Sequence, residues 1–154
     1  MNSPAREYDQ ALAPAILAQA ADAVIFADPE GVIRIWNAAA ARTFGFAAEE
    51  ALGESLDLII PDHLRSAHWT GFHRAMQSGT TRLKGHPTLT RGLHKSGRRL
   101  YVEMSFAVVR ASSGLVAGSV AIARDVTERH EEERQRQWGT GSGSSTAAST
   151  AQQS

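Results

Sequence analysis

The chain has 154 residues, with sixteen basic residues balanced by sixteen acidic ones and no cysteine. This length suffices for one domain with a real core, and the balanced charge leaves no electrostatic footprint for nucleic acid or an anionic membrane. The lack of cysteine excludes disulfides, thiolate metal sites and a cysteine nucleophile. No apolar run approaches the ~20 residues of a membrane span and no secretory signal opens the chain, so we expect a soluble cytoplasmic protein.

The first predicted element is an amphipathic helix over residues 10–21, after a loose polar start. Leu12 and Ile16 stand there at helical spacing among alanines. Pro14 marks the first turn of this helix or a kink, because proline lacks the amide hydrogen that a helix interior needs. We expect the whole segment, residues 1–21, to flank the folded domain.

A hairpin and a capped helix come next. Residues 24–28 and 32–36 are short apolar strands around a Pro-Glu-Gly turn. Asn37 then has the side chain to accept a hydrogen bond from the free N–H groups at the start of a helix over residues 38–44. Gly45 is the residue that ends this helix.

Two helical turns, over residues 47–52 and 54–58, lead to the longest helix of the domain. That helix starts at Pro61-Asp62, because proline is suited to a first helical turn. It runs to about Gln77, and Ser78-Gly79 stops it.

The second half of the chain predicts three strands. Residues 81–94 form one long strand that bends near Gly85 and Pro87, since proline cannot donate to a strand ladder. Residues 99–110 alternate between apolar and polar side chains, and residues 115–124 follow a Ser-Ser-Gly turn. An antiparallel sheet with helices on one face belongs to the α+β class.

The C-terminal part divides in two. After Asp125-Val126-Thr127, residues 127–138 are predicted to form a helix with opposite charges at i,i+3 and i,i+4 spacing. Residues 139–154 are rich in Gly, Ser and Thr, carry no charge and are expected to be disordered. The folded domain is therefore expected to span residues 22–126.

Catalytic constellations are absent from the sequence. It has neither a phosphate-binding Gly-Lys loop nor a Gly-x-Ser-x-Gly elbow. His63, His68 and His73 lie five residues apart on the long helix, and five steps of about 100° turn the face by about 140°, so they do not share one metal. We therefore expect a protein that is not an enzyme.

Two segments, Asp22 to Asn37 and Ala123 to Arg129, resemble the start and end of PAS domains, which are sensory and interaction modules. The resemblance implies a five-stranded antiparallel sheet in the order 2-1-5-4-3, with helices on one face, flanking terminal helices and a ligand pocket under the long helix. It also implies a signal junction at Asp125 and Thr127. Through its flanking helices the chain is expected to form a homodimer and to signal to a separate kinase, cyclase or transcription regulator.

The long helix also carries Pro-x-x-x-Arg-Ser-x-His at residues 61–68, which resembles the haem-PAS domains of FixL-type oxygen sensors. In those domains the histidine ligates haem iron, so the resemblance makes His68 the candidate axial ligand and haem the leading cofactor. Arg65 and Arg74 are candidate partners for carboxylates, the haem propionates included. The other candidate pocket residues are Trp69, Phe72, Leu83, His86, Thr88, Met104, Phe106 and Ile122.

On the distal side, the arginine that binds oxygen in FixL-type domains corresponds to Thr88. His86 or Met104 would then close the sixth coordination position, and Arg91 would replace the missing arginine only if the strand register shifted. Two alternatives stay open. One is flavin held without a covalent bond, since the cysteine-containing segment of LOV domains is absent; the other is a cofactor-free interaction module whose pocket is filled by Met104, Phe106 and Ile122.

Overall fold

The computed structural model describes residues 4–82 and 85–141, with the side chains of residues 4–9, 140 and 141 left out of the description. A short 3-10 helix, Leu56–Ile59, lies between the third and fourth α-helices. In chain order the other elements are α1 (Pro4–Gln19), β1 (Ala23–Ala27), β2 (Ile33–Trp36), α2 (Ala38–Phe44), α3 (Ala48–Ala51), α4 (Asp62–Ser78), β3 (Thr88–Leu93), β4 (Arg99–Arg110), β5 (Val116–Asp125) and α5 (Thr127–Gly141).

The five strands form one antiparallel sheet in the order β2-β1-β5-β4-β3, which confirms the predicted topology. The core lies between one face of this sheet, here called the inner face, and the helices between β2 and β3. Its largest fully buried side chains come from both layers: Ile25, Ile33, Phe44, Leu100 and Val102. Because side chains alternate along a strand, the intervening residues lie on the opposite, outer face.

Asn37 caps α2 as predicted, since its Oδ1 accepts from the Ala40 N–H at 2.9 Å. The same oxygen accepts from the Val24 N–H of β1, also at 2.9 Å. Its Nδ2 donates to the carbonyls of Leu17 and Asp22 at 2.9 and 3.1 Å. One buried amide therefore joins the end of α1, the start of β1 and the start of α2.

The terminal helices differ from their predicted bounds. Helix α1 starts at Pro4, so Pro14 lies in its interior and not in its first turn. Helix α5 continues to Gly141, past the predicted start of a disordered tail at Gly139, and the rest of that tail lies outside the described residues. Within the described residues, none of the helices has both the length and the apolar character needed to cross a membrane.

Strand β3 is shorter than predicted. It starts at Thr88, opposite Met104 of β4, and not at residue 81. Pro87 has no N–H to offer a ladder, and Gly85 has a φ of 75°, so the backbone is not extended there. The described residues between α4 and β3, 79–82 and 85–87, are therefore outside the sheet.

Candidate functional site

A cavity of about 760 Å³ lies between α4 and the inner face of β3 and β4. This volume falls within the range of small-molecule and cofactor sites, roughly 300–1,000 Å³. Residues of α4, of the following loop and of both strands line it: Ala67, His68, Gly71, Phe72, Arg74, Ala75, Ser78, Thr80, Thr81, Arg82, Thr88, Thr90, Met104 and Phe106.

His68 reaches the cavity because of its position on α4. Residues four and seven further on, Phe72 and Ala75, are 3% and 6% exposed, so this face of the helix is turned toward the sheet. The His68 ring packs edge-on against Trp69 at 4.9 Å and stacks on Phe72 at 5.8 Å between ring centroids. Aromatic packing therefore fixes the orientation of the imidazole.

The Nδ1 atom of His68 is buried and has no hydrogen-bond partner among the described residues. Burial lowers the pKa of His68 from the ordinary 6.5, while the nearby carboxylate of Asp57 acts in the opposite direction. The ring is therefore neutral at pH 7. A neutral imidazole is the form of histidine that ligates a metal.

The wall opposite His68 is built by two paired strands. Thr88 and Met104 are register partners on β3 and β4, and the residues two further along, Thr90 and Phe106, lie on the same inner face. The Phe106 ring meets Phe72 of α4 edge-on at 6.4 Å between centroids. This wall is apolar on β4 and hydroxyl-bearing on β3.

The remaining boundary of the cavity is polar. Arg74 of α4 and Arg82 of the following loop are both exposed side chains that line it. Neither forms an ion pair with a carboxylate of the described part of the chain. Ser78, Thr80 and Thr81 add hydroxyl groups to the lining. Two cationic groups thus line a mainly apolar space.

The structure brings together five of the predicted pocket residues and the candidate Arg74, but three others lie elsewhere. Ile122 is on the outer face of β5 and 44% exposed, because its inward-facing neighbour is Ala123. His86 is exposed in the loop before β3 and does not line the cavity. Trp69 points away, donating from Nε1 to Asp57 at 2.8 Å. Leu83 lies outside the described residues.

The two other candidate arginines are also outside the cavity. Arg65 donates to the carbonyls of Ile60 and Asp57, both at 3.1 Å, and pairs with Asp62 at 2.9 Å. Arg91 is the register partner of Tyr101 on the outer face, so it cannot reach a ligand beside Thr88. The register shift that would have brought Arg91 inward is absent.

Sequence reasoning missed Thr90 and Arg82. Thr90 follows Thr88 at the strand period of two, so the alternation along β3 was the signal for it. Arg82 had been assigned to a strand, whereas it precedes β3 and lines the cavity from outside the sheet. The other two histidines of α4, His63 and His73, are exposed, and no group of three metal-binding side chains occurs in the part of the chain described.

The predicted signal junction is a corner between β5 and α5. The Asp125 carboxylate accepts from the Thr127 N–H at 2.9 Å and also from the Thr127 hydroxyl. The Thr127 hydroxyl oxygen in turn accepts from the Tyr101 N–H at 3.0 Å, and the Val126 N–H donates to the Tyr101 carbonyl at 2.9 Å. The start of α5 is thus tied to β4.

An antiparallel sheet of order 2-1-5-4-3 with a ligand-sized cavity under its longest helix defines a class of small α+β domains. A family model described as PAS fold matches residues 17–131, and the chain therefore belongs to the PAS family. It contains a PAS sensory domain.

Two curated sensors are similar in sequence. Sensor protein FixL of Bradyrhizobium diazoefficiens is 26% identical over 110 residues, which is 71% of this chain and 21% of FixL. Oxygen sensor protein DosP of Escherichia coli (strain K12) is 26% identical over 106 residues, which is 68% of this chain and 13% of DosP. The chain thus spans about a fifth or less of the length of these relatives.

Solved structures agree on the fold. The PAS domain of a protein from Colwellia psychrerythraea has a TM-score of 0.67 at 20% identity, covering 77% of this chain and 98% of that one. An RNA-binding light-oxygen-voltage receptor has a TM-score of 0.62 at 27% identity, covering 86% of this chain and 38% of the receptor.

Proposed function

We propose that this chain is a haem-binding PAS sensor in which His68 is the axial ligand of the iron. The observation that carries the proposal is the buried, neutral and otherwise unpartnered imidazole of His68 in the wall of the cavity. A buried polar atom without a partner is costly to keep, so its presence calls for a ligand or another functional reason. The names of the similar proteins, an oxygen sensor among them, support the same conclusion.

The other lining residues fit haem as well. Haem is a flat, largely apolar ring with two carboxylates on one edge. Phe72, Met104 and Phe106 would offer apolar contact to the ring, and Arg74 and Arg82, which also line the cavity, would bind the carboxylates. When bound, the iron would supply a centre that takes up a diatomic gas or changes its redox state.

Residues of the opposite wall would decide what the iron takes up. Thr88 and Met104 line the cavity, whereas His86 does not, so Met104 is the candidate sixth ligand. A thioether is an accepted axial ligand of haem. The described lining residues of that wall, Thr88, Thr90, Met104 and Phe106, do not include an arginine, and this favours a response to redox state, CO or NO over ready binding of oxygen.

The first test is the absorption spectrum of protein reconstituted with hemin. We expect an intense Soret band that is lost in His68→Ala, because the imidazole is the iron ligand. His73→Ala is the matched control, since His73 is on the same helix but exposed, and it should keep the band. A wild-type spectrum without a Soret band after reconstitution would reject haem.

Flavin is the second candidate, favoured by the 27% identity to a light-oxygen-voltage receptor. The chain has no cysteine to form a covalent flavin bond, so flavin would be held by contacts alone. Absorption and fluorescence spectra of the protein as purified, recorded before hemin is added, distinguish it, because flavin absorbs in the blue and fluoresces, whereas haem has a Soret band.

A cofactor-free interaction module is the third account. It needs a cavity filled by side chains, yet Met104 and Phe106 stand in the wall of an open space and Ile122 is on the outer face. The geometry therefore favours a ligand.

Whether or not a ligand is bound, we infer that the chain acts as a homodimer through its flanking helices. We also infer that it signals to a separate kinase, cyclase or transcription regulator through Asp125 and Thr127.

A further inference from the structure

Helix α5 is held on the outer face of the sheet mainly through one residue of β4, Tyr101. The Tyr101 ring packs against His130 with 4.0 Å between centroids, and its hydroxyl oxygen accepts from Arg134 at 3.3 Å. His130 and Arg134 follow Thr127 by three and seven residues, so all three lie on one face of the helix. A salt bridge between Arg129 and Glu103 at 3.2 Å adds to this contact.

The same ring also contacts β3. The Arg91 guanidinium lies over the Tyr101 ring, with Cζ 5.9 Å from its centroid, within the reach of a cation–π interaction. Arg91 and Tyr101 are register partners in the ladder that joins β3 to β4. Tyr101 therefore contacts both the C-terminal helix and the strand that forms one wall of the cavity.

We infer that Tyr101 is a positioning residue that holds α5 against the sheet and makes its docking depend on strand β3. The inference rests on the proposed function, because it concerns how a ligand in the cavity would affect α5. It adds a ring contact between the helix and the sheet to the backbone junction at Asp125 and Thr127.

The connection follows from the pleat of β3. Thr88 and Thr90 point into the cavity, and Leu89 and Arg91 lie on the outer face. β3 is an edge strand that is bonded only to β4, so it is less constrained than the central strands. A ligand that displaces Thr88 and Thr90 must displace Arg91 with them, and this changes the environment of the Tyr101 ring.

The test is hydrogen–deuterium exchange of peptides that cover residues 128–138, first in ligand-free protein. Tyr101→Ala and His130→Ala should speed exchange in α5 about tenfold, the effect expected from losing one well-packed ring contact. Tyr101→Phe keeps the ring and loses only the Arg134 bond, so its effect should be about two- to threefold. Peptides from α4 should not change in any of these variants, which separates loss of docking from loss of fold.

Arg91 has a matched control on the neighbouring strand. Arg99 is an exposed arginine of β4, whereas the cation–π contact with the Tyr101 ring is made by Arg91. Arg91→Ala should speed exchange in α5, and Arg99→Ala should not. If Tyr101→Ala leaves α5 exchange unchanged, or if Arg91→Ala and Arg99→Ala behave alike, the inference is wrong.

A second arm uses hemin as the ligand and records the Soret band in the same sample. With the band present, hemin should alter α5 exchange in wild type but not in Tyr101→Ala, and an equal change in both would overturn the link to the cavity. Absence of the band would reject haem binding, while the ligand-free comparison would still decide whether Tyr101 and Arg91 control α5.

Discussion

At the scale of residues, His68 is a titratable side chain in an unusual environment. It is a titratable group packed between aromatic rings, with one nitrogen buried and unpaired among the described residues. Two effects act on its charge: desolvation, which favours the neutral ring, and the Asp57 carboxylate, which favours the cation. Desolvation is the larger effect, so protonation of His68 opposes folding.

This environment predicts a pH dependence of stability. The pKa of His68 is lowered by folding, so the unfolded chain takes up the proton first as the pH falls below 6.5. The stability that comes from the neutral His68 ring is fully present above pH 6.5. It is lost as the pH falls through the lower pKa that His68 has in the folded protein. Urea unfolding between about pH 7 and about pH 5 should therefore show a steeper loss for wild type than for His68→Leu.

His63→Leu is the control for that experiment, because His63 is an exposed histidine of the same helix. It should retain the wild-type pH dependence. Equal slopes for wild type and His68→Leu would mean that the His68 ring is not desolvated in the ligand-free protein.

The residue scale also shows what the sequence could predict about the site. The helical spacing of His68 and Phe72 could be predicted from the sequence. The alternation along β4 that brings Met104 and Phe106 inward could also be predicted. The orientation of Ile122 was not, because strand β5 was located without a register and a shift of one residue exchanges the two faces of a strand. Its small neighbour Ala123 takes the inner position.

At the scale of elements, the Asn37 side chain connects three secondary-structure elements, α1, β1 and α2. Four hydrogen bonds from one amide link the end of α1, the first residues of β1 and the start of α2. The capping bond to Ala40 follows from the sequence, since asparagine before an alanine-rich helix is a common cap. The bonds to Leu17 and Asp22 depend on tertiary structure and have no local sequence signal.

We predict that Asn37→Ala lowers the free energy of unfolding by about 2–4 kcal/mol, because it removes a helix cap and leaves the buried Val24 N–H without its acceptor. Urea titration measures this. Ser55→Ala is the control: Ser55 makes one exposed capping bond, to the Asp57 N–H at 3.1 Å, and should cost about 1 kcal/mol or less. Similar losses for the two variants would contradict the central role of Asn37.

The elements that were predicted least well are those next to the cavity. Residues 81–82 and 85–87 were predicted as part of the third strand but are not in the sheet, because Pro87 interrupts the ladder and Gly85 takes a positive φ. Gly85 and Pro87 signalled in the sequence that the strand would be interrupted. The sequence did not show the consequence, which is that Arg82 lies outside the sheet and lines the cavity. Longer elements such as α4 and β4 matched their predictions closely, because each has many periodic positions and clear ends.

At the scale of the whole molecule, the proposed homodimer would use the exposed apolar residues of α1. Leu12 and Ile16 are four residues apart, 40% and 63% exposed, and so form an apolar stripe on the surface of this helix. Burying an isoleucine is worth about 1.5–3 kcal/mol, so Ile16→Glu should weaken dimerisation at least about tenfold. Sedimentation velocity over a range of concentrations measures this change.

Leu115→Glu is the control for the dimer, because Leu115 is a 73% exposed leucine in the turn between β4 and β5, away from the terminal helices. Its sedimentation should match wild type. A monomer at all concentrations in wild type, or an equal effect of both substitutions, would reject association through α1.

The three tryptophans stand in three different parts of the molecule. Trp36 is 5% exposed in the core, Trp69 packs at 4.9 Å from the ring of His68, and Trp138 is 79% exposed on α5. Each therefore has a different polarity around its indole and a different distance to a chromophore in the cavity. Variants that keep one tryptophan at a time would turn ordinary fluorescence into separate optical reports from the core, the cavity and the C-terminal helix, without an added dye.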